Sequence, residues 1–450
     1  MNLRNGNPIR NREDRATPPC PHFGSCGGCQ LQHLTYAAQL RDKATQLRAL
    51  LEATGLALPT LQLHPSPPLA YRNRIRLTLA EVGGQLRAGY IHNQQPTFLP
   101  IDQCPIAAPI LWRATEVFLA LINEPPSTWL RNPHQIPDQL ELFTTADESH
   151  LQLTLYLRTA AKSLPNKLAA NFSTLCESLR IRIPELSGAG IALLPMLSKQ
   201  RSRRNEQPRP GPTWGSPGLN YSVSVPQPAT NNLQPATTFW VPRGAFFQIN
   251  RFLLPELLSL VCSYPATNRT GQLDRSRGDC QQGDDTSRGF LSRKTTLQSG
   301  SSEPLNSGTD LAFDLYAGVG LFSRALAARF TQVTAVEIAE PAFTALAATR
   351  LPNLRAVKAS TLDFLRVAVL QRDRPDLIVL DPPRTGVGPE VCALLARIAA
   401  PTLVYVSCSP EKLPADLADL AASGYTLAKL HLFDLFPQTT HIETVAILTR

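Results

Sequence analysis

From residue 311 onward, short apolar runs alternate with stretches in which apolar residues recur every three or four positions. The runs fall at 311–316, 333–338, 354–359, 376–380, 402–407, 426–433 and 442–448, and helical stretches such as Leu321 to Phe330 lie between them. Strands separated by helices return by crossovers instead of tight hairpins, which predicts an α/β architecture with a Rossmann-like, seven-stranded doubly wound sheet. Ligands of such sheets bind beyond the carboxyl ends of the strands.

Upstream the pattern differs. Leu40, Leu47, Leu50 and Leu51, set among Gln, Arg and Lys, predict a helix within 34–56. From Tyr71 the period becomes two: Ile75, Leu77 and Leu79 alternate with Arg74, Arg76 and Thr78, and Gly83-Gly84 suits a hairpin turn. Further strand-like runs, Leu151 to Leu157 among them, extend an α+β module to about residue 235. Arg72, Arg74 and Arg76 would share a strand face beside Tyr71, either as phosphate contacts with a stacking surface or as an ordinary solvated face. The expected division is a flexible tail at 1–18, a cysteine loop and helix at 19–60, the α+β module at 61–235 and the doubly wound domain at 236–450. Lys199, Arg201, Arg203, Arg204 and Arg209 make 198–212 a basic loop, and 264–309, poor in large apolar residues, reads as a disordered insertion.

With 43% hydrophobic residues over 450 positions the chain can bury sizeable cores, and its net charge of +9 suits a polyanionic partner. No apolar run approaches the ~18 residues of a membrane span, and the first ten residues are polar. A cytoplasmic monomer is expected. Nine cysteines, unevenly spread, argue against a disulfide framework. Cys20, Cys26 and Cys29, on a glycine-rich loop, can converge on one metal centre. Iron–sulfur and zinc both use such thiolates, with His22 a further zinc ligand. The fourth cluster ligand is expected at Cys104, in the turn-like Asp-Gln-Cys-Pro.

The doubly wound region carries the chemistry. Asp314, Tyr316, Gly318 and Gly320 occupy the exit of its first strand, and Glu337 ends the second, where a carboxylate can accept two ribose hydroxyls. A nicotinamide site would want a third glycine near 323, where Ser323 stands, so S-adenosylmethionine is the expected cofactor. Asp381-Pro-Pro-Arg384 leaves the fourth strand as a rigid loop. Similar Asp-Pro-Pro-Tyr loops serve amino-group methyltransferases, yet an exocyclic amine needs no thiolate. Cys408, after the fifth strand, is the expected nucleophile, with Ser409 and Pro410 read as the start of a helix that would favour its thiolate. Glu443, entering the last strand, is the expected base.

These motifs, Phe246-Phe-Gln-Ile-Asn250, Asp314-Leu-Tyr-Ala-Gly-Val-Gly320, Asp381-Pro-Pro-Arg384, Ser407-Cys-Ser-Pro410 and Phe436-Pro-Gln-Thr-Thr-His-Ile-Glu443, resemble those of the RNA 5-methyluridine methyltransferase family of the TrmA and RlmD type. The resemblance covers nearly everything from Cys20 onward. It implies a class I methyltransferase fold, cofactor contacts at Gln248, Tyr316, Glu337 and Asp381, a nucleophile at Cys408 and a base at Glu443. It further implies a [4Fe-4S] cluster on Cys20, Cys26, Cys29 and Cys104. Many cluster-bearing relatives begin with a small RNA-binding TRAM barrel, for which the residues before Cys20 leave no room. RNA capture is therefore expected from the central module. Because transfer-RNA enzymes of the family usually lack the cysteine cluster, 23S ribosomal RNA is the expected substrate, with transfer RNA as the alternative and a noncatalytic iron–sulfur RNA-binding scaffold as a third reading.

Overall fold

The structure, a computed structural model, describes residues 12–124, 136–159, 166–196, 208–224, 236–263 and 310–450. It opens on a 3-10 turn, Arg12–Asp14. Arg15 then pairs with Leu34, and the Ala16 N–H donates to the His33 carbonyl at 3.0 Å. Residues 12–18, expected in a flexible tail, are thus fastened to the chain that follows the cysteine loop. Helix α1, Tyr36–Glu52, starts where the Thr35 hydroxyl caps it by accepting from the Ala38 N–H. Its Leu47 and Leu51 bury completely against the C-terminal sheet, contributing about 1.5–3 kcal/mol each. Strand β1, Leu61–His64, follows.

The central module is built on β2 (Arg74–Val82), β3 (Gln85–Ile91), β4 (Phe98–Pro100), α2 (Pro109–Asn123), β5 (Gln139–Thr144), β6 (Leu151–Arg158), α3 (Asn166–Arg182), β7 (Leu186–Leu194) and β8 (Arg209–Gly215). The strands lie in the order β4-β3-β2-β5-β6-β7-β8. Gly83 and Gly84, at φ of 60° and 77°, make the β2–β3 turn as expected. One face, with Ile75, Leu77, Leu142 and Leu153, packs on α2 and α3.

The opposite face corrects the reading of Tyr71 to Arg76. Tyr71 is fully buried and donates to the Pro437 carbonyl at 3.1 Å. Arg74 lies over the Phe143 ring at 4.2 Å, and Arg76 binds Glu141 at 2.8 Å while covering Tyr156. The arginines alternate as a strand requires, but β5 and β6 meet Arg74 and the half-exposed Arg76 with an acid and two aromatic rings, and Arg72 lines a cavity with the N-terminal cysteines, so the three do not form one open phosphate-binding face. Arg209, Pro210 and Pro212, read as part of the basic loop, belong to β8. That strand pairs only with β7, an edge position where proline removes no needed ladder bond. The rest of that loop up to residue 207, and the insertion read at 264–309, lie outside the described residues.

A hairpin of β9 (Gly218–Val223) and β10 (Thr237–Pro242) leads to α4 (Leu254–Cys262). Tyr221, Phe239, Phe247 and Leu257 join one core of the large sheet. That sheet comprises β11 (Leu311–Leu315), α5 (Leu321–Ala327), β12 (Gln332–Glu337), α6 (Ala342–Ala347), β13 (Leu354–Lys358), α7 (Thr361–Gln371), β14 (Leu377–Leu380), α8 (Gly388–Ile398), β15 (Thr402–Ser407), α9 (Leu413–Ala422), β16 (Thr426–Phe433) and β17 (Glu443–Thr449). All seven expected strands are present, and the strand order is β1-β16-β17-β15-β14-β11-β12-β13. The sheet has eight strands, not seven. Strand β1, from the segment before the central module, pairs parallel to β16, while β17 runs antiparallel between β16 and β15. Side chains alternate between two buried faces: Val379, Val404 and Val445 on one, Ile378, Tyr405 and Ala446 on the other.

Candidate active site

Antiparallel pairing of β15 with β17 sets Ser407 against Thr444. One residue further, Cys408 leaves its strand opposite Glu443, which is 2% exposed. Asp381 follows the last residue of β14, and its N–H donates to the Leu315 carbonyl at the end of β11. A thiol and two acids therefore gather at the mouth of three neighbouring strands, with the charge of Arg384 acting on both Cys408 and Glu443.

Burial dominates the electrostatics. It raises the Glu443 carboxyl well above its ordinary range, Asp381 adding to the effect and Arg384 opposing it. Burial, then the charges of Glu443 and Asp381, push the Cys408 thiol up to about 11, again against Arg384. This overturns the expected helix-stabilised thiolate. Residues 409–412 form a turn in which the Lys412 N–H donates to the Ser409 carbonyl at 3.2 Å. Helix α9 begins only at Leu413, with Pro414 in its first turn, so Cys408 does not sit at its N-terminus.

The residues expected to hold the cofactor lie around the end of β11. Tyr316, Gly318 and Gly320 have φ of 64°, 58° and 89°. The left-handed backbone of Gly320 favours glycine, and a Cβ there would stand 2.8 Å from Leu346 Cδ1, so that leucine would have to shift, whereas space beside Gly318 is open. The Glu337 carboxylate fixes the loop: its Oε2 accepts from the Gly318 N–H at 2.8 Å and its Oε1 from Ile338 and Ala339. Gln248 donates to Asp381 Oδ2 at 3.5 Å. Its own carbonyl accepts from Asn73 Nδ2 at 2.9 Å, which ties the Phe-Phe-Gln-Ile-Asn segment to the central module. Asp314 and Asp381 are both pushed up to about 7, first by burial. Two buried acids beside an open glycine loop suit a cationic guest, and the sulfonium of S-adenosylmethionine fits that requirement.

The family model for tRNA (uracil-5-)-methyltransferases matches residues 302–450. The 23S rRNA (uracil(1939)-C(5))-methyltransferase RlmD of Chromohalobacter salexigens is 28% identical over 440 residues, covering 97% of this chain and 77% of that protein. An uncharacterized RNA methyltransferase of Thermotoga maritima is 26% identical, with 98% and 87% covered. The crystal structure of Pyrococcus abyssi tRNA (uracil-54, C5)-methyltransferase in complex with S-adenosyl-L-homocysteine superposes with a TM-score of 0.61 at 20% identity, over 95% of this chain and 86% of that one. That likeness establishes the fold. Over most of its length the chain is similar to RNA (uracil-C5)-methyltransferases.

In this methyltransferase the four N-terminal cysteines also come together. Cys20, Cys26, Cys29 and Cys104 line one cavity with Arg72 and Tyr90. Burial raises all four thiols, Cys29 to about 12. His22, the further zinc ligand considered from the sequence, is engaged by Asp102 at 2.6 Å. The donor set has the chemistry of a cluster site. Among the described residues, however, no three His, Cys, Asp or Glu side chains stand in metal-holding geometry. The described cysteines are free thiols.

Two groups in or beside the site were not singled out by sequence. Arg384 stands where similar Asp-Pro-Pro-Tyr loops carry a tyrosine, and its charge acts on both Cys408 and Glu443. Lys43 binds buried Asp434 at 2.6 Å, reaching from α1 to the loop before Glu443. Neither has a local sequence signal, because the partners are remote in the chain.

Proposed function

We propose that this protein methylates C5 of a uridine in RNA, 23S ribosomal RNA before other substrates, through a transient bond between Cys408 and C6 of the base. The observation that carries the reading is the opposition of Cys408 and buried Glu443 across the β15–β17 pair, beside an acid-lined glycine loop. S-adenosylmethionine would supply a methyl group activated on a sulfonium. Gln248, Tyr316, Glu337 and Asp381 would hold it. Uracil C5 is too weak a nucleophile unaided, so Cys408 thiolate adds to C6 and the electron pair of the C5–C6 double bond makes C5 enolate-like. C5 then takes up the methyl group. Glu443 removes the remaining C5 proton, the C–H pair restores the double bond, and Cys408 leaves as thiolate. The uridine must leave its stack to reach Cys408.

The interval 61–235 would serve as the RNA-binding module, and the +9 charge favours a polyanion. The ribosomal preference draws on the 23S-directed relative and on the cysteine cluster. Among the described residues no helix is long and apolar enough to cross a membrane, in keeping with a proposed cytoplasmic monomer. The test is methyl incorporation from labelled cofactor into unmodified 23S ribosomal RNA and transfer RNA. Label recovered as 5-methyluridine in the ribosomal RNA is expected. Label confined to transfer RNA would reassign the substrate, and none in either would remove the enzymatic reading.

We further propose that Cys20, Cys26, Cys29 and Cys104 hold a [4Fe-4S] cluster. Protein purified without oxygen should be brown with about four irons per chain. Cys104→Ala should lower iron content and stability, because that ligand would tie the N-terminal loop to a distant segment. Colourless protein with stoichiometric zinc would overturn the cluster.

A further inference from the structure

We infer that Gln39, on α1, is a positioning residue for the catalytic base: it holds the loop that delivers Glu443 opposite Cys408. The inference rests on Glu443 being that base. Residues 434–442 join β16 to β17 without regular structure, and residues 30–43 hold this loop at several points. Lys43 Nζ donates to buried Asp434 at 2.6 Å and to the Phe436 carbonyl at 3.0 Å. Gln438 carries the tightest hold. Its carbonyl accepts from the Gln30 and Leu31 N–H groups at 3.0 Å each. Its N–H donates to Gln39 Oε1, and its Oε1 accepts from Gln39 Nε2, both at 2.9 Å. Gln39 Nε2 also donates to the Leu31 and Leu34 carbonyls at 3.1 and 3.0 Å.

Backbone conformation gives this contact its purpose. Gln438 has a φ of 68°, a left-handed conformation that a non-glycine residue keeps only where its surroundings over-determine it. Gln39 and Gln438 are 0% and 6% exposed, so water cannot replace the lost partners. A carboxamide both donates and accepts, which neither an ionised carboxylate nor an apolar side chain can do here. Four residues separate Gln438 from Glu443, with Thr439 fastened to the Phe436 carbonyl at 2.8 Å. Release of Gln438 would therefore let the start of β17 shift relative to Cys408. Cysteine addition and methyl uptake precede the need for the base, so a displaced Glu443 should slow only the last step.

The test compares Gln39→Leu, Glu443→Gln and Leu47→Ala, each as full-length protein acting on the RNA substrate. Leu47 lies on the same helix but packs into the sheet core, so its truncation weakens α1 without touching the loop. Gln39→Leu should lower kcat about tenfold, leave KM for RNA and cofactor within about twofold, and accumulate protein covalently joined to methylated RNA on denaturing gels. Leu47→Ala should lower Tm yet turn over without an adduct. If Gln39→Leu does not fold, Gln39→Glu keeps the shape and one acceptor but loses the donors, and should give the same adduct. Wild-type kcat without adduct in a folded Gln39 variant, while Glu443→Gln does form one, overturns the positioning role alone. An equal adduct in Leu47→Ala reduces α1 to a structural part and also overturns it. Absence of adduct in Glu443→Gln removes the base assignment, and the inference with it.

Discussion

Cys408→Ser should bind cofactor and RNA as the parent does yet lose methyl transfer by about 10⁴-fold or more, the scale seen when an enzyme's nucleophile is removed. A serine hydroxyl in this pocket meets the same burial and the same acids that push the cysteine thiol up to about 11, and it begins from a much weaker acidity. It would almost never be an alkoxide near neutral pH. The raised thiol also fixes a sign for the parent enzyme. With its value above neutrality, the thiolate fraction grows about tenfold for each unit of rising pH, and the single-turnover rate should climb from pH 6 to pH 9. The carboxyl of Glu443, displaced upward by burial, changes in the same sense: more of it is free to accept a proton as pH rises. Labelled methyl incorporation in a single turnover, read beside cofactor binding, checks both statements. A serine variant working near the parental rate would show that C6 is not attacked by this side chain.

The large sheet was legible because its strands are long enough, and apolar enough on both faces, to stand out between helices. Their expected and observed limits differ by no more than about two residues, the ordinary uncertainty of element ends. Strand β1 was not legible. Four residues, Leu61–His64, carry no periodicity of their own, and only the register with Leu430 to Phe433, far along the chain, makes them a strand. The stretch from Tyr71 to Arg76 shows a second limit of local reading. Its alternation announces a strand, but whether three arginines meet solvent, phosphate or protein depends on what the neighbouring strands present. Here β5 and β6 offer Glu141, Phe143 and Tyr156 to Arg74 and Arg76, so those two are engaged by protein.

The same distinction runs through the site. Residue types and order were sufficient to expect Cys408, Glu443, Asp381 and the glycine loop at strand ends, and the sheet topology brings the first three together. Electrostatics were harder to read. A serine and a proline after Cys408 look like a helix start, yet the chain first spends residues 409–412 on a turn and the thiol stays under the influence of Glu443 and Asp381. The grip of α1 on the loop before Glu443 leaves no trace in either segment alone. Gln39 and Gln438 are 399 positions apart, and a glutamine on an amphipathic helix ordinarily reads as a solvated residue. The N-terminal region, which by sequence concerns only metal, therefore reaches the catalytic loop through ordinary hydrogen bonds.

Glu443→Gln should turn this methyltransferase into a trap. The amide matches the carboxylate in size and leaves β17 paired with β15 and β16, but it cannot take a proton from C5. Addition of Cys408 to C6 and uptake of the methyl by C5 need no such base, so they should proceed. The adduct then has no way forward, because the C5–H electron pair must be released before the carbon–sulfur bond can break. Turnover should fall by about 10²–10⁴-fold, the usual contribution of a positioned acid or base. Meanwhile protein should migrate with labelled, methylated RNA through denaturing gels, in an amount that tracks enzyme concentration and vanishes when Cys408 is also replaced. The double substitution separates a Cys408 adduct from cross-linking elsewhere. Turnover close to the parental rate with no retained RNA would mean that another group near C5 takes the proton, and His441 or Asp381 would then be the residues to replace next.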